Sequence, residues 1–156
     1  MLKKFLKSLK ISIVIIGVLY ITSYFFTINL TESMPKGIYI MYPAINLKKG
    51  DIVLIPVVPE AKKYVPNKTK YMIKILAGTS EDKILIKNDE LFINNQSWGK
   101  IYEIDGDGEK LPKANLKIKK DEVLLLVKTD RSFDGRYFGA IKKKNIKRKA
   151  RLIYQF

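Results

Sequence analysis

Ser33 stands in the segment Thr31-Glu32-Ser33-Met34-Pro35-Lys36-Gly37-Ile38-Tyr39. Pro35 fixes its own φ and pushes Met34 toward an extended conformation. Gly37 adds a position open to backbone angles that other residues resist. The segment therefore presents Ser33 on a stiff, extended turn, which suits a nucleophilic hydroxyl and equally an ordinary linker. A serine nucleophile needs a base. The chain contains no histidine and no cysteine, which excludes a Ser-His-Asp triad, a thiolate nucleophile and a thiolate zinc site. Lysine and the carboxylates remain, and lysine serves as a base only where burial keeps its amine neutral.

Most lysines of this chain lie in polar runs and are expected to stay charged. Lys74 differs, because it sits within Tyr71-Met72-Ile73-Lys74-Ile75-Leu76-Ala77. Strand alternation puts Met72, Lys74 and Leu76 on one face and Tyr71, Ile73 and Ile75 on the other. Both faces are apolar, so the strand is expected to be buried on both sides, with Lys74 desolvated. A lysine snorkelling from a strand end has the same local pattern. A third cluster, Thr129-Asp130-Arg131-Ser132-Phe133-Asp134-Gly135-Arg136-Tyr137-Phe138-Gly139, can fix a loop by Asp–Arg pairing, and its Ser132 can hydrogen-bond a buried amine. A plain salt-bridged turn accounts for the same residues.

Two regions must position these groups. Ile11–Leu30 carries no charged side chain and has the ~20 residues a helix needs to span a bilayer. Tyr20, Tyr24, Phe25 and Phe26 lie toward its outer end, where aromatic rings favour the interface. The flank before it holds Lys3, Lys4, Lys7 and Lys10 and no acid, which places the N-terminus in the cytoplasm by the positive-inside rule. A cleaved secretory signal fits less well, since the run is long and Phe25–Leu30 offers no Ala-x-Ala. Residues 1–30 are thus read as basic flank and membrane anchor, and residues 31–156 as one extracytoplasmic domain.

Beyond Thr31 the pattern is β. Gly37–Tyr42, Asp51–Val58, Tyr71–Ala77, Lys83–Lys87, Glu90–Asn94 and Glu122–Val127 are short apolar runs separated by turn formers. Asn88-Asp89 predicts a tight hairpin. A last pair is predicted between Tyr137–Ile141 and Ala150–Phe156. The expected fold is mainly β: a small antiparallel sheet or barrel-like domain behind one transmembrane helix. Asp105-Gly106-Asp107-Gly108 lacks the closing Glu of an EF-hand loop, so it reads as a glycine-rich turn, and no metal or cofactor is expected. The net charge of +15 suits an anionic partner such as phospholipid headgroups. Lys36 and Lys142–Arg151 are the side chains expected against lipid or solvent. A lysine-rich genome produces the same balance.

Taken in order, the segments resemble the signal peptidase I family of Ser-Lys peptidases, and within it the TraF-like branch of conjugal-transfer peptidases. Ser33–Tyr39 is similar to that branch's S-M-P-x-G-x-Y box, Gly50-Asp51-Ile52-Val53 to a G-D-[IV]-V strand, Lys74–Gly78 to K-R-V-x-G, and Ser132–Gly139 to S-F-D-S-R-Y-F-G. The resemblance implies a β-rich catalytic domain on the outer face of the cytoplasmic membrane. It implies Ser33 as nucleophile, Lys74 as base, Ser33 N–H and the Thr31 hydroxyl as oxyanion hole, and Ser132 as the residue orienting the lysine. Asp134 and Arg136 match a structural pair, and Met34 and Pro35 are expected to contact substrate. The implied substrate is a secreted or membrane-inserted precursor polypeptide, such as a pilin subunit. The chain departs from the pattern at Thr79-Ser80-Glu81-Asp82, at Ile75 and at Gly135. The rival readings are a non-catalytic membrane-anchored β module, such as a secretion-system scaffold, and a nucleic-acid binder using the basic tail. The topology opposes the latter, so no nucleic acid is expected.

Overall fold

The computed structural model describes residues 2–156. Helix α1 spans Leu2–Phe25 and is long and apolar enough to cross a membrane. From Lys3 to Phe25 its side chains are exposed. The uncharged run does not stay helical to Leu30. Strand β1, Phe26–Asn29, pairs antiparallel with β2, Gly37–Pro43, in the register Phe26↔Ile40 to Asn29↔Gly37. The aromatic and β-branched residues of this stretch suit a strand once a neighbour supplies hydrogen bonds.

The remaining strands are β3 (Ile52–Pro56), β4 (Tyr71–Thr79), β5 (Ile84–Lys87), β6 (Glu90–Ile93), β7 (Gln96–Lys100), β8 (Glu122–Leu126), β9 (Ile141–Lys142) and β10 (Arg148–Gln155). Seven form one antiparallel sheet in the order β1-β2-β10-β3-β4-β8-β9, and β5-β6-β7 form a second. The domain is therefore mainly β and antiparallel, with β1 and β9 at the edges of the larger sheet.

Most strands fall where the apolar runs lie. Asn88 and Asp89 make the predicted hairpin with φ of 50° and 60°, and Asn94-Asn95 repeat the device between β6 and β7 with 50° and 65°. Positive φ at both central residues matches the right-handed twist of the flanking strands. The last predicted pair is not formed. Gly135–Phe138 is a single helical turn, α2, and β10 pairs with β2 and β3 instead. Asp134 explains the turn: its side chain caps the N–H of Arg136 at 3.0 Å, which favours helix over strand. Asp105–Gly108 forms a turn closed by Gly108 N–H on the Asp105 carbonyl, with Gly108 at φ 82°.

Strand β8 shows how the two sheets share a core. Val123 and Leu125 enter a cluster with Val53, Ile55, Met72, Leu76 and Ile141, while Leu124 and Leu126 pack with Leu91, Ile93 and Trp98 of the smaller sheet. A strand covered on both faces reads as a continuous apolar run, as Val123–Leu126 does. Strand β4 is covered unevenly. Met72, Lys74 and Leu76 are buried, but Ile73 and Ile75 are only half-buried and Tyr71 is exposed. Burial on both sides is therefore corrected to one buried face and one partly covered face. The basic tail is also not wholly free: Lys149 pairs with Asp51 at 2.7 Å, and the Arg148 guanidinium lies 3.9 Å from the Tyr24 ring centroid.

Candidate active site

The Ser33 loop is the connection between β1 and β2, and its two ends are held together by the Asn29↔Gly37 pair. Gly37 does not use a left-handed φ, contrary to the flexible role its type suggests. It is glycine because β10 passes close by: a Cβ there would lie 2.1 Å from the Tyr154 carbonyl oxygen. On the opposite strand-end, the buried Tyr39 hydroxyl donates to the Pro35 carbonyl at 2.8 Å. Ser33 itself is half-buried, and its Oγ lies 2.9 Å from Thr31 Oγ1.

Lys74 lies mid-strand on β4, opposite Val53 of β3, and is only 3% exposed. Burial pushes its pKa down to about 8, and the charges of Asp134 and Arg136 act in opposite senses, Asp134 raising it and Arg136 lowering it. Its amine donates to Ser132 Oγ at 2.7 Å. Ser132 reaches that position because its loop is fastened on both sides. Asp134 accepts from Val127 N–H at 3.0 Å and from Arg136 Nη2 at 2.9 Å. Arg136, fully buried, also donates to the carbonyls of Thr129 (2.7 Å) and Lys100 (3.1 Å) and to Asp130 Oδ1 (3.3 Å). Charges removed from water need this degree of pairing. Phe133, next to Ser132, stacks on Tyr64 with centroids 4.3 Å apart and on Tyr137 at 5.4 Å. Gly135 has no room for a side chain, since a Cβ would approach Leu124 Cδ1 and the Leu125 carbonyl oxygen to 2.7 Å.

Thr31, Ser33, Lys74 and Ser132 all line one cavity of about 370 Å³, with Ile28, Leu54, Val65, Met72, Ile73 and Phe133 as its apolar walls. Ser33 and Lys74 are not hydrogen-bonded to each other; among the described residues Ser33 Oγ pairs with Thr31 and the Lys74 amine with Ser132. Met34 and Pro35 do not join the cavity. Met34 is buried at 7% exposure, Pro35 faces solvent, and both act through their carbonyls in holding the loop. Their side chains are not among those lining this cavity. A larger hollow of about 670 Å³ adjoins the first through Tyr64, Arg131, Ser132 and Phe133.

A hydroxyl and a depressed lysine on one partly apolar cavity have the chemistry of acyl transfer. The family model for signal peptidase, peptidase S26, matches residues 1–155. The chain belongs to this family. This S26 peptidase is also 29% identical over 138 residues to a plasmid transfer protein TraF of Escherichia coli, the match covering 77% of each chain. Among solved structures, a signal peptidase I from Enterococcus faecalis aligns over 65% of the S26 chain described here and 93% of its own, at 20% identity and a TM-score of 0.41. Among the polar lining residues that escaped sequence reasoning, with Thr27, Tyr64 and Thr69, is Asn29, buried at the end of β1. Its only signal in the sequence is an amide at the edge of an apolar run, which any interfacial linker shares.

Proposed function

We propose that the protein is a membrane-anchored serine endopeptidase in which Ser33 is the nucleophile and Lys74 the general base. One observation carries this reading: a lysine whose pKa is lowered to about 8 by burial shares a cavity with a serine hydroxyl on a braced loop. The neutral Lys74 amine takes the Ser33 proton as Oγ attacks the scissile carbonyl. The developing oxyanion is met by the Ser33 N–H and by the Thr31 hydroxyl, which turns from its resting partner Asn29. Lys74 then gives its proton to the leaving amine. Water, deprotonated by Lys74, releases the acyl group and restores Ser33. Ser132 holds the amine in place through the 2.7 Å bond, and the Asp134–Arg136 pair holds Ser132.

The anchor sets where this happens. With α1 in the bilayer and its basic flank in the cytoplasm, the domain lies on the outer face of the cytoplasmic membrane, and β1 alone separates α1 from the Ser33 loop. The substrate is a secreted or membrane-inserted precursor polypeptide, and the phospholipid surface is the second partner. Similarity to a plasmid transfer protein supports a role in conjugal transfer or type IV secretion, with a pilin precursor as the kind of chain cleaved. Co-expression with secreted precursors of the same genome, read by mass spectrometry, tests the reading. Ser33→Ala and Lys74→Ala are each expected to abolish processing with the fold intact, and processing retained in both overturns the mechanism.

A further inference from the structure

Asn29 ends β1 opposite Gly37, at the root of the loop that carries Ser33. It is a buried carboxamide whose side-chain hydrogen bonds among the described residues go to that loop. Nδ2 donates toward the carbonyls of Thr31 at 3.0 Å, Met34 at 2.8 Å and Pro35 at 3.2 Å. Oδ1 accepts from the Thr31 N–H at 3.3 Å and from the Thr31 hydroxyl at 2.7 Å. Three carbonyls on one side and a backbone N–H on the other decide which end of the amide is which.

The directions of the hydroxyl protons follow. Oδ1 can only accept, so the single proton of the Thr31 hydroxyl points at Asn29. Thr31 Oγ1 therefore meets Ser33 as an acceptor, and Ser33 donates across the 2.9 Å contact. The chain of donation runs from Ser33 to Thr31 to Asn29, while the Lys74 amine donates to Ser132. A loop whose turn carbonyls are gathered on one buried amide is held in one shape.

We infer that Asn29 is the positioning residue of the nucleophile loop: its amide gathers the carbonyls that shape the turn, and its oxygen holds the Thr31 hydroxyl, with Ser33 donating to it, in the resting arrangement from which both turn when substrate binds. The inference rests on the reading of Ser33 as nucleophile. Asn29 acts through Thr31 and Ser33 rather than on the scissile bond. The Pro35 carbonyl also receives the Tyr39 hydroxyl, so Tyr39→Phe leaves that carbonyl held by Asn29 and has the milder effect.

The test uses the full chain in detergent micelles with an internally quenched peptide carrying Ala-x-Ala before the scissile bond. Asn29→Ala is expected to lower kcat about 100-fold, the size of effect that a misplacement near 1 Å produces, while KM stays within about threefold. The acid limb of its pH–rate profile stays at the wild-type position, because Lys74 keeps its surroundings on β4. Asn29→Asp retains the acceptor for Thr31 but turns an oxygen toward three carbonyls, and a loss of the same order is expected. Hydrogen exchange over residues 31–36 accelerates in Asn29→Ala, with the rest of the domain unchanged. Wild-type kcat in either variant, an acid limb that moves to higher pH together with a fall in Tm, or failure of both variants to fold overturns the inference. If the wild-type chain does not cleave, or Ser33→Ala cleaves as well, the peptidase reading fails instead. The exchange measurement then decides the clamp alone, and unchanged exchange over 31–36 sinks it.

Discussion

Lys74 concentrates the electrostatics of the site in one amine. Its folded pKa of about 8 lies below the ordinary lysine value, chiefly through burial. Deprotonation is therefore required for base catalysis, and kcat/KM is expected to rise with pH through about 8 and then level off. A profile flat from pH 6 to 10 would exclude Lys74 as the base. The same shift is a stability statement. Below pH 8 the folded state must carry a buried charged amine, and between 8 and 10.5 the unfolded chain binds the extra proton, so wild-type stability climbs across that window. Lys74→Met removes the liability: the variant should be more stable by roughly 3 kcal/mol at neutral pH, the gain fading toward pH 10.5. Chemical denaturation at pH 7 and pH 10.5 measures both ends. Loss of activity with gain of stability at one position is what a functional buried charge produces.

At the scale of elements, the site depends on a turn and a bulged strand pair more than on any long element. The turn α2 exists because Asp134 caps it, and the same carboxylate neutralises Arg136 and fixes the start of the loop after β8. Asp134→Ala leaves a buried guanidinium without its one fully buried carboxylate partner among the described residues and is expected to cost about 3–5 kcal/mol. The loss should appear in a denaturant midpoint, together with reduced activity as Ser132 comes loose. Gly37 illustrates the neighbouring constraint. The β10 register shifts between Leu152 and Tyr154 where it passes β2, and Leu152 Cδ1 also lies 2.7 Å from a Cβ built on Gly37. Gly37→Ala therefore forces the two strands apart, at about 1–3 kcal/mol by overpacking. A denaturant midpoint unchanged by this substitution would refute the close approach.

Across the whole molecule, the apolar helix and the domain are joined by a strand rather than by a flexible linker. Phe26–Asn29 belongs to the large sheet, so the chain leaves the helix and enters the domain without a break. A fragment of residues 26–156 should keep β1 and Asn29 and cleave a soluble peptide, whereas 31–156 exposes the β2 edge and loses the loop's buried amide. The second fragment is expected to show at least about 100-fold lower kcat, in line with a misplaced nucleophile. Equal turnover by the two would show that β1 contributes nothing to the site. Exposed Tyr154 near the end of β10 and exposed Phe156 just beyond it lie beside the same loop, Phe156 N–H donating to the Lys36 carbonyl at 3.2 Å.

Residue types alone narrowed the available chemistry, because the absence of histidine and cysteine left lysine and the carboxylates as the candidate bases for a serine. Apolar runs separated by turn formers marked most strands, and uninterrupted apolarity marked the helix, since these patterns are local consequences of burial. Local pattern could not say where the helix ends. Phe26–Asn29 is as apolar as the residues before it, and only the hydrogen bonds offered by β2 make it a strand. It also paired Tyr137–Ile141 with the wrong partner, because capping by Asp134 and the pairing of β10 across the sheet are tertiary choices. The apolar neighbours of Lys74 marked it as the lysine to be desolvated, but a pKa near 8 follows from what surrounds the amine in the fold, which those neighbours do not fix. Asn29 was invisible for the same reason. Its hydrogen bonds to Thr31, Met34 and Pro35 exist only once β1 and β2 bring both ends of the loop together.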